Sequence, residues 1–334
     1  GDITVSDAAG DGSDPSVTFT GPVILATDST ITTDTGGTGG IISFASTVVG
    51  TNGSAQNLII DSGTAAVTIT GNIGGTAATT ALNKIEINKT DGGTKTGAIT
   101  LSGNIGTSST IGAGSDGTTG NGVYLGNLNT TSVTLAGTIY NFGNEANFQA
   151  AAAGAGNDIR LAGTSPTIKT SDDAITFETG AIKLTAGTTT IQSGGDPITL
   201  TATTGSGDEL LSVDAGSADG TATISAVGIT AGIKTITLDG EDGVTLGGNL
   251  TTADVASNSV SITGPVTLGT AITIDTDHTN DGNITFETSG TTINGTNTLT
   301  MTSGSGNIAL QGAIGADAIL TALSINATDG ATGT

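Results

Sequence analysis

Residues 99–105 read Ile-Thr-Leu-Ser-Gly-Asn-Ile, two apolar residues one position apart, then a glycine, then a third apolar residue. Apolar residues at a period of two mark a strand with one buried face. Here the strand is short. The glycine lets the backbone turn a corner and is expected to use positive φ. Ile105 then opens the next strand, again facing inward. The template returns as VTFTGPV (17–23), VTITGNI (67–73), VTLAGTI (133–139), VTLGGNL (244–250), VSITGPV (260–266) and IALQGAI (308–314). IRLAGTS (159–165) keeps all but the last apolar position. Start-to-start spacings of 50, 32, 34 and 26, then of 16 and 48 in the later copies, predict one coil per roughly 16 to 25 residues, some with insertions.

A longer repeat lies above the template. PSVTFTGPVILATDSTITTD (15–34) matches NSVSITGPVTLGTAITIDTD (258–277), and the match continues with slips, so that residues 15–105 resemble 258–334 around more divergent coils at 106–257. AITFET (174–179) likewise echoes NITFET (283–288). Duplication built the chain.

Composition agrees with a folded repeat. The 334 residues include 55 glycines, 35% hydrophobic residues, 2% aromatics, no Cys and no Trp. An acidic disordered chain is poor in Ile, Val and Leu, and this one is rich in them at regular spacing. One coil cannot bury its own apolar side. Stacked coils can, each pairing its backbone with the coils above and below. Small aliphatic residues then form columns in a narrow interior that leaves no room for large aromatics, while Thr and Ser face water. The reading is a single right-handed parallel β-helix, a β-solenoid over residues 1–334 with about 15 coils and a length of roughly 70 Å at about 4.8 Å per coil. Tandem immunoglobulin-like sandwiches, the rival all-β fold, need aromatic anchors and longer strands. A stretch around Glu145–Ala155 is the one weak helical candidate.

The two ends read into each other. Thr328–Thr334 matches Thr90–Thr96, and Gly1–Val5 matches Gly97–Leu101. No terminal helix, charged coil or aromatic lid is evident, so both ends are expected to be uncapped, and open strand edges recruit further strands. Either the segment belongs to a longer protein, or copies stack with the Gly1 end against the Thr334 end.

GPVTLGTAITIDTD, NGTNTLTMTSGSGNIALQGAIG and the TAL-S-I stretch at 321–325 resemble the repeats of giant filamentous-haemagglutinin-like surface proteins of bacteria. The resemblance covers most of 15–105 and 258–334. It implies secretion, a β-helical shaft, and a part in adhesion, biofilm or surface coating. It carries over no catalytic residue, and the secretion domain of such proteins is not visible.

Chemistry is sparse. The formal charge of −23 argues against nucleic acid and anionic membranes as partners, since both need a positive patch. No run of about 18 apolar residues marks a membrane span. His278, the one histidine, lies in DTDHTND without a motif that would supply Ser-His-Asp partners, and reads as a turn residue. Carboxylates cluster at 11–14, 171–173, Asp208–Glu209, 239–242 and 275–281. Calcium takes six to eight oxygens, but neither a GGxGxD repeat nor a twelve-residue loop is present, and Asp favours turns in its own right. Arg160, the sole arginine, has no aromatic platform beside it for a sugar-cleaving site. Thr-x-Thr pairs at 18–20, 68–70, 235–237 and 298–300 would serve an ice surface only if aligned in nearly every coil, and irregular coil lengths argue against that alignment. Asn-x-Ser/Thr sequons at Asn52, Asn88, Asn129, Asn249, Asn283, Asn294 and Asn326 are expected by composition in so threonine-rich a chain. No catalytic, cofactor or metal residue is assigned. The expected function is an extracellular structural or adhesive fibre segment whose partners are copies of itself or neighbouring filaments. The alternative is a module that binds a surface, a host molecule, ice or carbohydrate with one face.

Overall fold

A computed structural model of the chain describes residues 1–5, 15–34, 39–51, 56–74, 80–89, 96–106, 122–152, 157–216, 219–228, 232–287 and 291–326. Strands and turns make up these residues, with no α-helix among them. The chain forms two compact units, Gly1–Ala181 and Ile182–Thr334, and each is a stack of parallel β-coils. About 11 turns are present in the two units together, fewer than the 15 expected.

In the first unit a coil has three faces. One carries Ser29–Thr32, Asn57–Asp61, Lys84–Ile87, Val123–Leu125 and Ala146–Gln149. The second carries Val17–Phe19, Ile42–Phe44, Val67–Ile69, Ile99–Leu101, Ser132–Leu135 and Asp158–Leu161. The third includes Val23–Leu25, Val48–Gly50, Ile139–Phe142 and Thr167–Thr170. Pairing is parallel and in register, so Ile42, Val67, Ile99, Val133 and Ile159 form one buried column. The second unit repeats the plan. Its faces include the runs Ile198–Leu200 to Val266–Leu268, Leu250–Thr251 to Ala322–Asn326, and Thr188–Gln192 to Ile308–Leu310.

The coil count fell because the template marks a corner and not a coil. Val244 pairs with Val266 in the next coil, whereas Val260 pairs with Ile236 and Ile284 on another face. The closely spaced templates that start at Val244 and Val260 are therefore successive corners of one coil. Coil length varies in both units. In the second, the step from Val244 to Val266 is shorter than that from Ile272 to Leu299. In the first, the step from Val123 to Ala146 is much shorter than that from Ile85 to Val123. The long repeat is visible as structure: 15–34 and 258–277 each fold into three successive strands, Val17–Phe19, Val23–Leu25, Ser29–Thr32 and Ser259–Thr263, Val266–Leu268, Ile272–Asp275.

Four further expectations are corrected. The helical candidate contains the strand Ala146–Gln149, paired with Val123–Leu125 and with Ala146 and Phe148 buried. Its apolar residues alternate at a period of two, and that overrides local alanine propensity. Large rings do fit inside: Phe44, Tyr140, Phe142, Phe148, Phe177 and Phe286 are fully buried. Register makes room for them, since Phe148 pairs with Phe177 and the two rings stack at 4.8 Å. The head-to-interior match does not hold either. Ile3 pairs with Ile31, on the face of Ile60 and Ile87, not at the place of Ile99; residues 90–95 and 327–334 lie outside the described residues. Finally, the corner glycines of the first unit do not need positive φ. A Cβ on Gly71 would lie 2.2 Å from the Ser46 carbonyl carbon, one on Gly103 2.2 Å from the Gly71 oxygen, one on Gly137 2.5 Å from the Gly103 oxygen, and one on Gly163 1.9 Å from the Gly137 oxygen. They are stacked, each filling the space a side chain would take. Gly264, at φ +98, is the template copy that uses the left-handed conformation.

Candidate functional site

The second unit has an open groove of about 510 Å³, formed by the turns after successive strands of one face. Ser206, Gly207, Thr252, Asp254 and His278 are among its lining residues. His278 thus belongs to a recess, a placement that DTDHTND does not foreshadow. Its Nε2–H donates to the Thr252 carbonyl at 2.8 Å. Asp254 accepts the Asn280 amide at 2.8 Å and its side chain at 3.1 Å. Asp281 accepts the Ser305 amide at 2.8 Å and its hydroxyl at 2.6 Å. Hydrogen bonds from Asn280, then Thr279, hold the Asp254 carboxyl below its usual range, and those from Ser305 do the same for Asp281. Glu209 is 2% exposed. Burial pushes its carboxyl up, but the Ser206 hydroxyl and amide and the Gly207 amide outweigh that and hold it low. The Ser206 hydroxyl is spent on this carboxylate. His278 and Ser206 are therefore each committed to a structural contact, and the groups that close these turns are the acidic residues of 208–209 and 275–281.

The remaining candidates fall apart from this groove. Asp11 and Asp14 lie outside the described residues. Asp173 offers its carbonyl to the Thr170 hydroxyl. Arg160 pairs with Asp158 at 2.7 Å, on the same strand. Among the described residues no three His, Asp or Glu side chains converge as a metal set. Of the sequons, Asn52 is outside the described residues, and Asn88 is 1% exposed, bonded to Ser62.

Within the 239–242 cluster, Asp239 stands in register with Asp214 one coil earlier. Burial, then the negative charges of Asp214 and Glu241, push its carboxyl above the usual range. Because the folded pKa is raised, the favourable contribution is complete below the unfolded value and is lost as pH rises through the folded one. Asp239→Asn should therefore leave unit 2 more stable at pH 7, by a few tenths to about 1 kcal/mol, the cost of directly opposed like charges across strands. It should also flatten the stability–pH curve over the upper carboxylate range. Urea denaturation at pH 4.5 and 7 checks this; an unchanged slope counts against the repulsion.

Two arrangements recur along both units. The first is a column of hydroxyls on the outer surface. In unit 1, Thr18, Ser43, Thr68, Thr100 and Thr134 are register neighbours. In unit 2 every face has one: Thr199, Thr223, Thr245 and Thr267; Thr190, Ser212, Thr237, Ser261 and Thr285; Thr273, Thr300 and Ser324. The alignment holds despite unequal coil lengths, because extra residues enter at corners.

The second is a set of corner Asn and Asp side chains that extend the ladder where strands end. Asn72 accepts the Asn104 amide at 2.9 Å, and Asn104 in turn accepts those of Thr138 and Ile139 at 2.7 and 3.0 Å. Asn249 accepts from Thr273, Asn283 from Asn307 and Asn294 from Asp317, at 2.8, 2.9 and 3.0 Å. In each, the side chain belongs to the earlier coil and the amide to the next. Most of these bonds face solvent, so their part is to hold the corners of successive coils in register rather than to satisfy buried amides. Sequence reading missed this device, although Asn follows the template glycine directly at Asn72, Asn104 and Asn249.

Coil-on-coil parallel ladders, an aliphatic interior and hydroxyl-clad sides define the protein as a parallel β-solenoid. No protein family, no curated protein and no solved structure matches the chain.

Proposed function

We propose that the chain is a segment of an extracellular structural or adhesive fibre at a bacterial surface, a shaft with no active site. One observation carries this reading: in unit 2 all three faces bear the same kind of hydroxyl column. A binding module singles out one side by an aromatic patch or a lone flat ladder; sides that are alike serve length and stiffness. Columns of Thr and Ser combine strand propensity with a wettable surface, and the charge of −23 keeps such rods from clumping. The absence of cysteine suits export, and the resemblance to filamentous-haemagglutinin-like repeats points the same way. Antibodies against the chain, applied to intact producing cells and viewed by immunogold electron microscopy, should decorate filaments or a coat outside the envelope. Labelling only after the cells are opened overturns the reading.

A further inference from the structure

We propose that the outer side of one face of unit 2, made by Ile198–Leu200, Thr221–Ile224, Gly243–Leu246, Val266–Leu268 and Ile293–Asn294, is an ice-binding surface. The proposal goes beyond the shaft reading and does not rest on it.

Hydroxyl columns clothe all three faces of unit 2, but charge divides them. The face of Thr188–Gln192 to Ile308–Leu310 carries Asp214 and Asp239 in its strands, and that of Leu250–Thr251 to Ala322–Asn326 carries Asp275. The five strands named above contain no Asp, Glu, Lys, Arg or His, in a chain of formal charge −23. Across four of them Thr199, Thr223, Thr245 and Thr267 stand in register. The alignment that irregular coil lengths argued against is present here. The rank ends at Asn294, whose side chain is bonded to Asp317.

These threonines are also free to meet a partner. Among the described residues none of their four hydroxyls enters a hydrogen bond. On the face of Asp214 and Asp239, by contrast, Ser261 donates to Glu287 at 2.8 Å and the Thr235 hydroxyl is buried. Thr223 and Thr267 are exposed, Thr199 and Thr245 half-buried. The flanks are low. Thr221 and Gly243 lie in register on one side. On the other, Ser225, Gly247 and Gly269 take the same place in successive coils, their amides bonded to the Leu200, Ile224 and Leu246 carbonyls at 3.0, 2.7 and 2.9 Å.

Threonine is stiff at χ1 and the ladder fixes each backbone, so every coil offers one hydroxyl and one methyl at the strand spacing of about 4.8 Å. That repeat is close to the spacing of equivalent water molecules in the basal plane of ice. Water bridging successive hydroxyls is held in a row set in advance, and it loses little freedom on joining the lattice. A carboxylate in the rank would resist burial against an uncharged solid. The five strands hold no aromatic ring on which a sugar could stack, which favours ice over a neutral polysaccharide.

The unmodified chain should be taken up into a slowly growing ice hemisphere and should facet ice crystals with measurable thermal hysteresis. Thr223→Tyr sets a ring above the rank and should lower the hysteresis about tenfold, the loss expected for a central contact. Thr237→Tyr, on the face of Asp214 and Asp239, should leave it unchanged. Circular dichroism and the urea midpoint check that each variant is folded, and Thr245→Tyr replaces a Thr223→Tyr chain that is not. Exclusion of the unmodified chain from ice overturns the proposal. Equal losses in folded Thr223→Tyr and Thr237→Tyr overturn the choice of face. Retention on powdered cellulose or chitin together with exclusion from ice would mark a polysaccharide binder and overturn it as well.

Discussion

Gly103→Ala is expected to open the first unit at the coil of Ile99–Leu101. The added methyl would sit 2.2 Å from the Gly71 oxygen and 2.7 Å from the Asn72 nitrogen, both backbone atoms held by neighbouring ladders, so neither can swing aside. Moving them stretches the Ser102 amide to Ile69 carbonyl bond of 2.8 Å and the Asn104 to Asn72 bond of 2.9 Å. The cost should be on the order of 3 kcal/mol, the upper end of overpacking. Gly21 is the internal control. It holds the same template position, yet nothing lies within 4 Å of its Cβ. Gly21→Ala should be neutral or stabilise by up to about 1 kcal/mol through the unfolded chain. Coils fail locally in a solenoid, so hydrogen exchange of the amides at 67–69 and 99–101 is the measurement. Equal loss of protection in both variants would mean that glycine is there for conformation and not for space.

Phe148→Ala should cost about 3–5 kcal/mol. The ring is fully buried, stacks on Phe177 at 4.8 Å and lies 6.2 Å from Phe142. Removing it leaves a void between Leu125 and Phe177, its register neighbours in the coils before and after, whose strands are held in place by the ladders and have little freedom to collapse. Thermal unfolding with protection read at Val123–Leu125 and Ile175–Phe177 tests this. By contrast Thr134→Val, on the outer hydroxyl column, should change stability by no more than about 0.5 kcal/mol. A Phe148→Ala effect as small as that would show that the interior is loosely filled.

The acidic turns show how far site reading could go. DTDHTND marks a polar turn in sequence, but only the stacking of coils brings His278 to the Thr252 carbonyl and Asp254 to Asn280, from one coil to the next in each case. Glu209 reads as a surface charge beside Asp208 and is in fact a buried clasp for its own turn. Such roles depend on how much chain separates one coil from the next, and turn insertions conceal that length.

The alternation of apolar residues, the repeating corner glycine and the lack of helical period were enough to determine a parallel β-solenoid with aliphatic columns inside and threonine outside. Those are local rules: a side chain's face follows from its parity along the strand. Which corner each template occupies, how many coils result, that rings stack inside and that Asn caps the ladder at corners were decided by tertiary structure. They depend on which residue lies above which. That register is set between coils of unequal length, as short as Val244 to Val266 and as long as Ile85 to Val123, beyond the reach of any local pattern.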